Sequence, residues 1–228
     1  MTPESEQGEK PGGPRSRKGE QTRARLLTAA KVVFERSGFL DARVSDIAEE
    51  AGLSHGSFYH YFDSKEEVFR EVVDEVEEKL SAPLGSVILD PGSRATPRER
   101  ISLAIRRHME AYREEARIMG VIEMVSRYDS QVQESRTRRQ ESYRTLVAAS
   151  IRQLQHHGLV DPELDPDIAS AVLGSMTSRF PEAWLVENRV DPDFDQGVDQ
   201  LVRMFTNAMG LKDPVHRRPR RQSRADHK

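Results

Sequence analysis

The sequence predicts an all-α protein. Every strong apolar pattern recurs at i, i+3, i+4 spacing, and no segment alternates with a period of two. The periodic stretches also open on capping residues and close on glycine. The 228 residues are 36% hydrophobic and 32% charged with a mean hydropathy of −0.70, enough for a packed core beneath a very polar surface.

The elements follow in order. Residues 1–19 hold Pro3, Pro11, Gly12, Gly13 and Pro14 with almost no apolar residues, so this arm is expected to be disordered. Residues 22–37 put Leu26, Leu27, Ala30, Val33 and Phe34 on one stripe, and Gly38 follows as a C′ residue. Val44 to Ala51 buries Val44, Ile47, Ala48 and Ala51 and stops at Gly52, and a second short segment, Ser54 to Phe62, begins two residues later. Ser64-Lys65-Glu66-Glu67 reads as a capping box for a helix with Val68, Phe69, Val72, Val76 and Leu80 inward. Residues 81–96 read as a Pro/Gly-containing connection in which Val87-Ile88-Leu89 docks. Thr96-Pro97-Arg98-Glu99 is a second capping box, with Pro97 at N1, and its helix carries Ile101, Ala104, Ile105, His108 and Tyr112. Ile118, Met119, Ile122 and Val125 mark a shorter helix. Asp129 caps a long one to His157, with Tyr143, Leu146, Val147, Ile151 and Leu154 inward and Gly158 closing it. Asp165-Pro166 opens a helix with Ile168, Val172, Met176, Phe180 and Trp184 on one face and a kink at Pro181. Val198, Leu201, Val202, Phe205 and Met209 define the last, stopped at Gly210. Residues 211–228, with Arg217, Arg218, Arg220, Arg221 and Arg224 around Pro219, read as a solvated basic tail.

Composition removes several functions. With no cysteine there is no disulfide framework, thiolate metal site or Cys nucleophile, which suits a cytoplasmic protein. No apolar run approaches the roughly 20 residues of a membrane span, and Met1 to Lys18 has no signal-peptide core. The net charge of −3 hides a strong asymmetry. Residues 10–31 carry +6 and 211–228 carry +5, whereas 64–210 carry −7. A mildly acidic average is therefore compatible with a nucleic-acid partner.

The informative stretch is 43–65, RVSDIAEEAGLSHGSFYHYFDSK. Two short helices around Gly52 fit a helix-turn-helix, since glycine accepts the positive φ of a tight interhelical turn. The second helix opens with Ser54, His55, Gly56 and Ser57, small and polar residues that let the backbone approach base edges. It then presents Tyr59, His60 and Tyr61, which cannot all point inward, between the core anchors Phe58 and Phe62. Hydroxyls and imidazoles at such positions can bond phosphate oxygens.

Ile47-Ala48, Ala51-Gly52-Leu53-Ser54 and Gly56-Ser57-Phe58-Tyr59-His60-Tyr61-Phe62, followed by Ser64-Lys65-Glu66-Glu67, resemble the TetR family of transcriptional regulators. The resemblance spans residues 22–69. It implies an N-terminal three-helix DNA-binding domain over 20–63, followed by a helical ligand-binding and dimerisation domain over 64–210. His55, Ser57 and Tyr59 would face bases, with Gly56 permitting close approach and Ser54 at the start of the reading helix. His60, Tyr61 and Lys65 would hold phosphates, and Ser45 would lie at the start of the helix crossing the backbone. Many members have Thr where this chain has Arg43. Arg43 has no side-chain oxygen to cap with, but it can pair with phosphate as a cation.

The implied function is a homodimeric repressor of a palindromic operator, released by a small apolar or amphipathic ligand, with no cofactor and no metal. His108, Tyr112, Met119, Ile122, Val125, Tyr143, Met176, Phe180 and Trp184 supply aromatic and methionine-rich faces suited to a pocket, with His108, Tyr112 and Tyr143 as polar handles. Ala171, Gly174, Ser175 and Ser178 would let helices approach closely across a two-fold axis, against Val198, Leu201, Val202 and Phe205.

Two other readings compete. Gly52-Leu53-Ser54-His55-Gly56 matches the G-x-S-x-G elbow of hydrolases, which needs a strand before the serine. A helix is expected there, so Ser54 reads as an N-cap and no catalytic residue is assigned. The basic tail alone could also drive non-specific nucleic-acid binding. His156-His157 at a helix end and a lone His108 make no metal site.

Overall fold

The computed structural model describes residues 17–88 and 94–212, and among them all regular structure is helical. The order is α1 (Arg17–Asp41), α2 (Val44–Glu50), α3 (His55–Phe58), α4 (Lys65–Ile88), α5 (Pro97–Glu114), α6 (Ala116–Ser126), α7 (Ser130–His156), α8 (Pro166–Pro181) and α9 (Phe194–Ala208), with a π-helical turn over Glu182–Val186 after α8. The expectations for residues 1–16, for the tail from 213 and for the docking of Val87-Ile88-Leu89 fall outside what is described.

The chain divides into two compact units. The first holds residues to Leu80, Ala111–Arg139 and Leu185–Glu187. The second holds Ser81–Glu110, Gln140–Trp184 and residues from Asn188 onward.

In the first unit the α1 stripe of Leu26, Ala30, Val33 and Phe34 is completely buried. It joins Ile47 and Ala48 of α2, Phe58 and Phe62, the α4 face Val68, Phe69, Val72, Val73 and Val76, and Ile118, Ile122 and Val125 of α6 in one core. Each large side chain so buried contributes about 1.5–3 kcal/mol. This core runs through residue 63 without a break, because α1, α2 and α3 by themselves enclose too little apolar volume to close alone. Gly38 interrupts α1 with φ 73°, and Phe39 folds back onto Phe34 and Phe69, with ring centroids 5.8 and 4.8 Å away.

In the second unit Ile105 and Met109 of α5, Ile151 of α7 and Leu173 of α8 are almost wholly buried, as are Val198, Leu201 and Phe205 of α9. Trp184 packs its ring against the α9 backbone at Gly197. A Cβ at Gly197 would stand 2.3 Å from the Trp184 ring, so only glycine fits there.

The expected caps form. Thr96 Oγ1 accepts from Glu99 N–H at 3.3 Å while Glu99 accepts from Thr96 N–H at 2.7 Å. Ser64 accepts from Glu67 N–H at 3.1 Å, and the Glu67 carboxylate reaches back one residue further, to Asp63 N–H. Asp129 and Asp165 cap α7 and α8.

Two expectations are corrected. Residues 81–88 are not a loop, because α4 continues through Pro83, whose fixed φ is helical, at the cost of one hydrogen bond and of crowding against the Lys79 carbonyl. The expected inward stripe of α8 is not inward throughout, since Ile168 and Val172 are 67% and 55% exposed. Steps of four residues overshoot a turn by about 40°, so Ile168 to Trp184 sweep about 160° around the axis. The buried face is Ser170, Leu173, Thr177 and Pro181.

Candidate nucleic-acid interface

The turn between α2 and α3 is built from both sides. Gly52 takes φ 64°, and Arg25 of α1 donates to the carbonyl of Ala51, the C-cap of α2. A side chain at Gly52 would also press on that guanidinium, at 3.3 Å. Ser54 caps α3, its Oγ accepting from Ser57 N–H at 3.3 Å and lying 2.7 Å from Ser57 Oγ. A helix precedes Ser54, so the strand that a hydrolase elbow requires is absent at this position.

Phe58 and Phe62 turn into the core, which fixes the phase of everything between them. His55, Gly56, Tyr59 and His60 are exposed, and Ser57 and Tyr61 half-buried. The Tyr59 ring is held edge-on against His55 and Phe58, at 5.3 and 5.4 Å between centroids, so its hydroxyl projects from a fixed base. Arg43 precedes α2 as an exposed cation, makes no side-chain cap and has no side-chain partner among the described residues. Ser45 is exposed, its hydroxyl 3.1 Å from Asp46.

Lys65 is placed differently from the phosphate contact that the resemblance implies. Its ammonium donates to the carbonyls of Phe39, Leu40 and Ala42 at 2.8, 3.2 and 2.9 Å and lies 4.7 Å from the centre of the Phe39 ring. All three N–H donors are therefore used at the end of α1, where a cation satisfies terminal carbonyls and the helix dipole. Arg25 and Lys65 are the residues that sequence reasoning missed as organisers of the head. Lys65 left a faint signal, a cation in phase with the buried Val68, Phe69 and Val72, whereas the exposed Arg25 left none.

The nine proposed pocket residues do not share one unit. Tyr112, Met119, Ile122 and Val125 are packed in the core of the first. His108, Tyr143, Met176, Phe180 and Trp184 belong to the second. There Pro181, lacking an N–H, leaves the Thr177 carbonyl without its helical donor, and His108 Nε2 takes that place at 2.9 Å. Because a carbonyl only accepts, this nitrogen carries the proton. The Tyr143 hydroxyl is buried without a hydrogen-bond partner of normal geometry. Burial pushes the phenol up to about 12, a rise that the Thr177 side chain only partly offsets.

The proposed dimer residues need a correction. Val198, Leu201 and Phe205 are 1–4% exposed, so that face of α9 is spent on the chain's own core, and only Val202 is half-open. The face left outward is Ile168, Ala171, Val172, Ser175 and Ser178 of α8, with Gly174 half-buried, and Met204 of α9.

A short reading helix held by a glycine turn, with polar and aromatic groups outward and phenylalanines inward, defines a helix-turn-helix DNA-binding regulator. The sequence model of the bacterial regulatory proteins of the tetR family matches residues 26–72. The HTH-type transcriptional regulator YdgC of Bacillus subtilis is 27% identical over 176 residues, which cover 77% of this chain and 87% of YdgC. Among solved structures, SmeT, the repressor of the Stenotrophomonas maltophilia multidrug efflux pump SmeDEF, superposes with a TM-score of 0.68 at 22% identity over 85% of this chain and 92% of SmeT. FadR from Bacillus subtilis in complex with stearoyl-CoA superposes with a TM-score of 0.68 at 18% identity, over 81% of this chain and 98% of FadR. Residues 26–72 are thus the DNA-binding region of a tetR-family bacterial regulatory protein, and the helical chain that follows resembles that family's regulators in fold. Among the described residues no helix is long and apolar enough to cross a membrane.

Proposed function

We propose that the protein is a homodimeric repressor of a palindromic operator, released when a small apolar or amphipathic ligand binds its C-terminal half. The observation that carries this reading is the α3 surface, on which His55, Gly56, Ser57 and Tyr59 stand above a phenylalanine-anchored base. His55, Ser57 and Tyr59 would read base edges, while His60, Tyr61, Ser45 and Arg43 would hold phosphates. The outward apolar and small residues of α8, with Met204, would form the two-fold contact. Two α3 helices would then enter successive major grooves, roughly 34 Å apart. Ligand would shift the population toward a spacing of the heads that misses this register. The complex of FadR with stearoyl-CoA and the regulatory target of SmeT favour an apolar or amphipathic effector, with the unpartnered Tyr143 hydroxyl as a donor for its polar end. The same reading makes the protein a cytoplasmic DNA binder without catalysis or a resident cofactor.

The test is selection of duplexes from a random pool by the full chain, followed by gel shifts and sedimentation. The reading expects a two-fold symmetric selected site, a dimer in solution, and release on adding stearoyl-CoA or a lipophilic dye. It fails if no sequence is enriched. A chain lacking residues 212–228 that loses all preference would instead favour the tail-driven binder.

A further inference from the structure

Among the described residues the most deeply buried carboxylate lies in the first unit, where α5 gives way to α6. Glu115 is the single residue between those helices, with φ −96° and ψ 6°. Its N–H donates to Ala111 O at 3.0 Å and its carbonyl accepts from Met119 N–H at 2.9 Å, so the backbone crosses the break fully bonded. The carboxylate serves neither helix. It is 4% exposed, with Lys79 Nζ of α4 2.7 Å from Oε1, and Lys31 Nζ of α1 2.5 Å from Oε2 as an ion pair outside hydrogen-bond angles. Burial works to raise the Glu115 carboxyl, but the two ammoniums outweigh it and hold the group below its ordinary value. Lys79 also reaches Glu114 at 2.8 Å, and Lys31 lies 3.8 Å from Glu35.

An apolar seam between α1 and α6 would slide at little cost, because hydrophobic contact is non-directional. A desolvated carboxylate gripped by two ammoniums is directional, and losing one partner leaves buried charge uncompensated. What Lys31 transmits is not a side-chain movement alone. Its helix is tied to the turn of the reading head through Arg25 at the Ala51 carbonyl, and to the start of α4, just past that head, through Lys65 at the carbonyls of Phe39, Leu40 and Ala42. A shift of α1 at Lys31 therefore carries α2 and α3 with it. The helix that ends just before Glu115 also starts in the other unit, since residues 97–110 of α5, with His108, belong to the second unit.

We propose that Glu115 is a positioning residue for DNA recognition. It fixes α1, and with it the reading helix, to the α5–α6 junction, and it is where a shift of α5 becomes a tilt of the head. This rests on the regulator reading above and names the residue that carries the message.

Glu115→Gln keeps size and an acceptor and removes the charge. Glu115→Asp keeps the charge on a shorter arm. The full chain is compared on a duplex selected by the wild type and on a scrambled duplex of the same composition. Glu115→Gln should retain its helix content and Trp184 emission, bind the scrambled duplex with wild-type affinity and salt dependence, and bind the selected duplex about 5- to 20-fold more weakly. Lys31→Met should give a similar loss, and combining it with Glu115→Gln should add little, because both break the same contact. Glu115→Asp should recover most of the preference. Wild-type discrimination in Glu115→Gln, with only its melting temperature lowered, would overturn the proposal and leave the cluster a structural tie. If Glu115→Gln does not fold, Lys31→Met and Lys79→Met decide the matter, their side chains being 31% and 47% exposed. A wild-type chain that enriches no sequence sinks the regulator reading itself, a separate outcome.

Discussion

Replacing Lys65 by Met separates a structural cation from a DNA-binding one. The substitution keeps the aliphatic stem and removes the ammonium that bonds Phe39 O, Leu40 O and Ala42 O at 2.8–3.2 Å. A hydrogen bond from a charged donor contributes about 1.5–3 kcal/mol when its acceptor is left dry. Here Lys65 is half-buried and water can reach at least one of the carbonyls, so the three together should lose about 2–3 kcal/mol. Loss of the cation over the Phe39 ring adds about 0.5 kcal/mol, and the freed side chain returns a comparable entropy. The net cost is about 2 kcal/mol, a fall in melting temperature of about 4–8 °C for a chain of this length.

The DNA readout should move the other way. Lys65 has no N–H left for phosphate, so log K against log salt on any duplex should keep its wild-type slope in Lys65→Met. Arg43→Ala should leave the melting temperature unchanged and reduce the slope by about 0.9, one phosphate contact. Thermal denaturation and fluorescence anisotropy at several salt concentrations measure both. An unchanged melting temperature for Lys65→Met together with a reduced slope would refute the assignment, because the ammonium would then be turning outward to phosphate.

Three further outcomes are expected. Gly197→Ala should destabilise the chain by about 1–3 kcal/mol despite its better helix propensity, because the new Cβ meets the Trp184 ring at 2.3 Å, and the lone tryptophan should report it as a shifted emission. Tyr143→Phe should remove from an ultraviolet titration a tyrosine that ionises at about 12. The folded pKa of about 12 lies above the ordinary 10.0, so the wild type should lose stability between those pH values and the variant less. Glu115 has its folded pKa below the ordinary 4.5, so its contribution is complete above that pH and is lost as pH falls through the folded value. Glu115→Gln should flatten the acid limb of stability against pH in chemical denaturation.

The reading helix was legible in the sequence because three independent requirements coincide within a dozen residues. Gly52 takes its positive φ, Ser54 caps, and Phe58 and Phe62 bury, so the outward phase of His55 and Tyr59 follows without tertiary information. The face of α8 was not legible, because five apolar residues at i+4 spacing drift around the axis, and burial then depends on what packs against each turn. Nor did apolar periodicity on α9 distinguish a face that meets a partner from one that meets its own core, as Val198, Leu201 and Phe205 do. The polar ties were least visible of all. Arg25, Lys31, Lys65 and Glu115 look like ordinary solvated charges in sequence, and their partners lie 23 to 84 residues away.

These ties share one helix. Arg25, Lys31 and the Lys65-bound carbonyls of Phe39 and Leu40 all lie on α1, which presents none of the proposed base-reading residues. The hydrophobic stripe of α1 gives the head its stability but little direction, since apolar contacts tolerate small rotations. The charged contacts at its start, middle and end supply the direction. A head fixed this way turns as one body, so α1 is where substitutions far from DNA should alter specificity while leaving non-specific affinity intact.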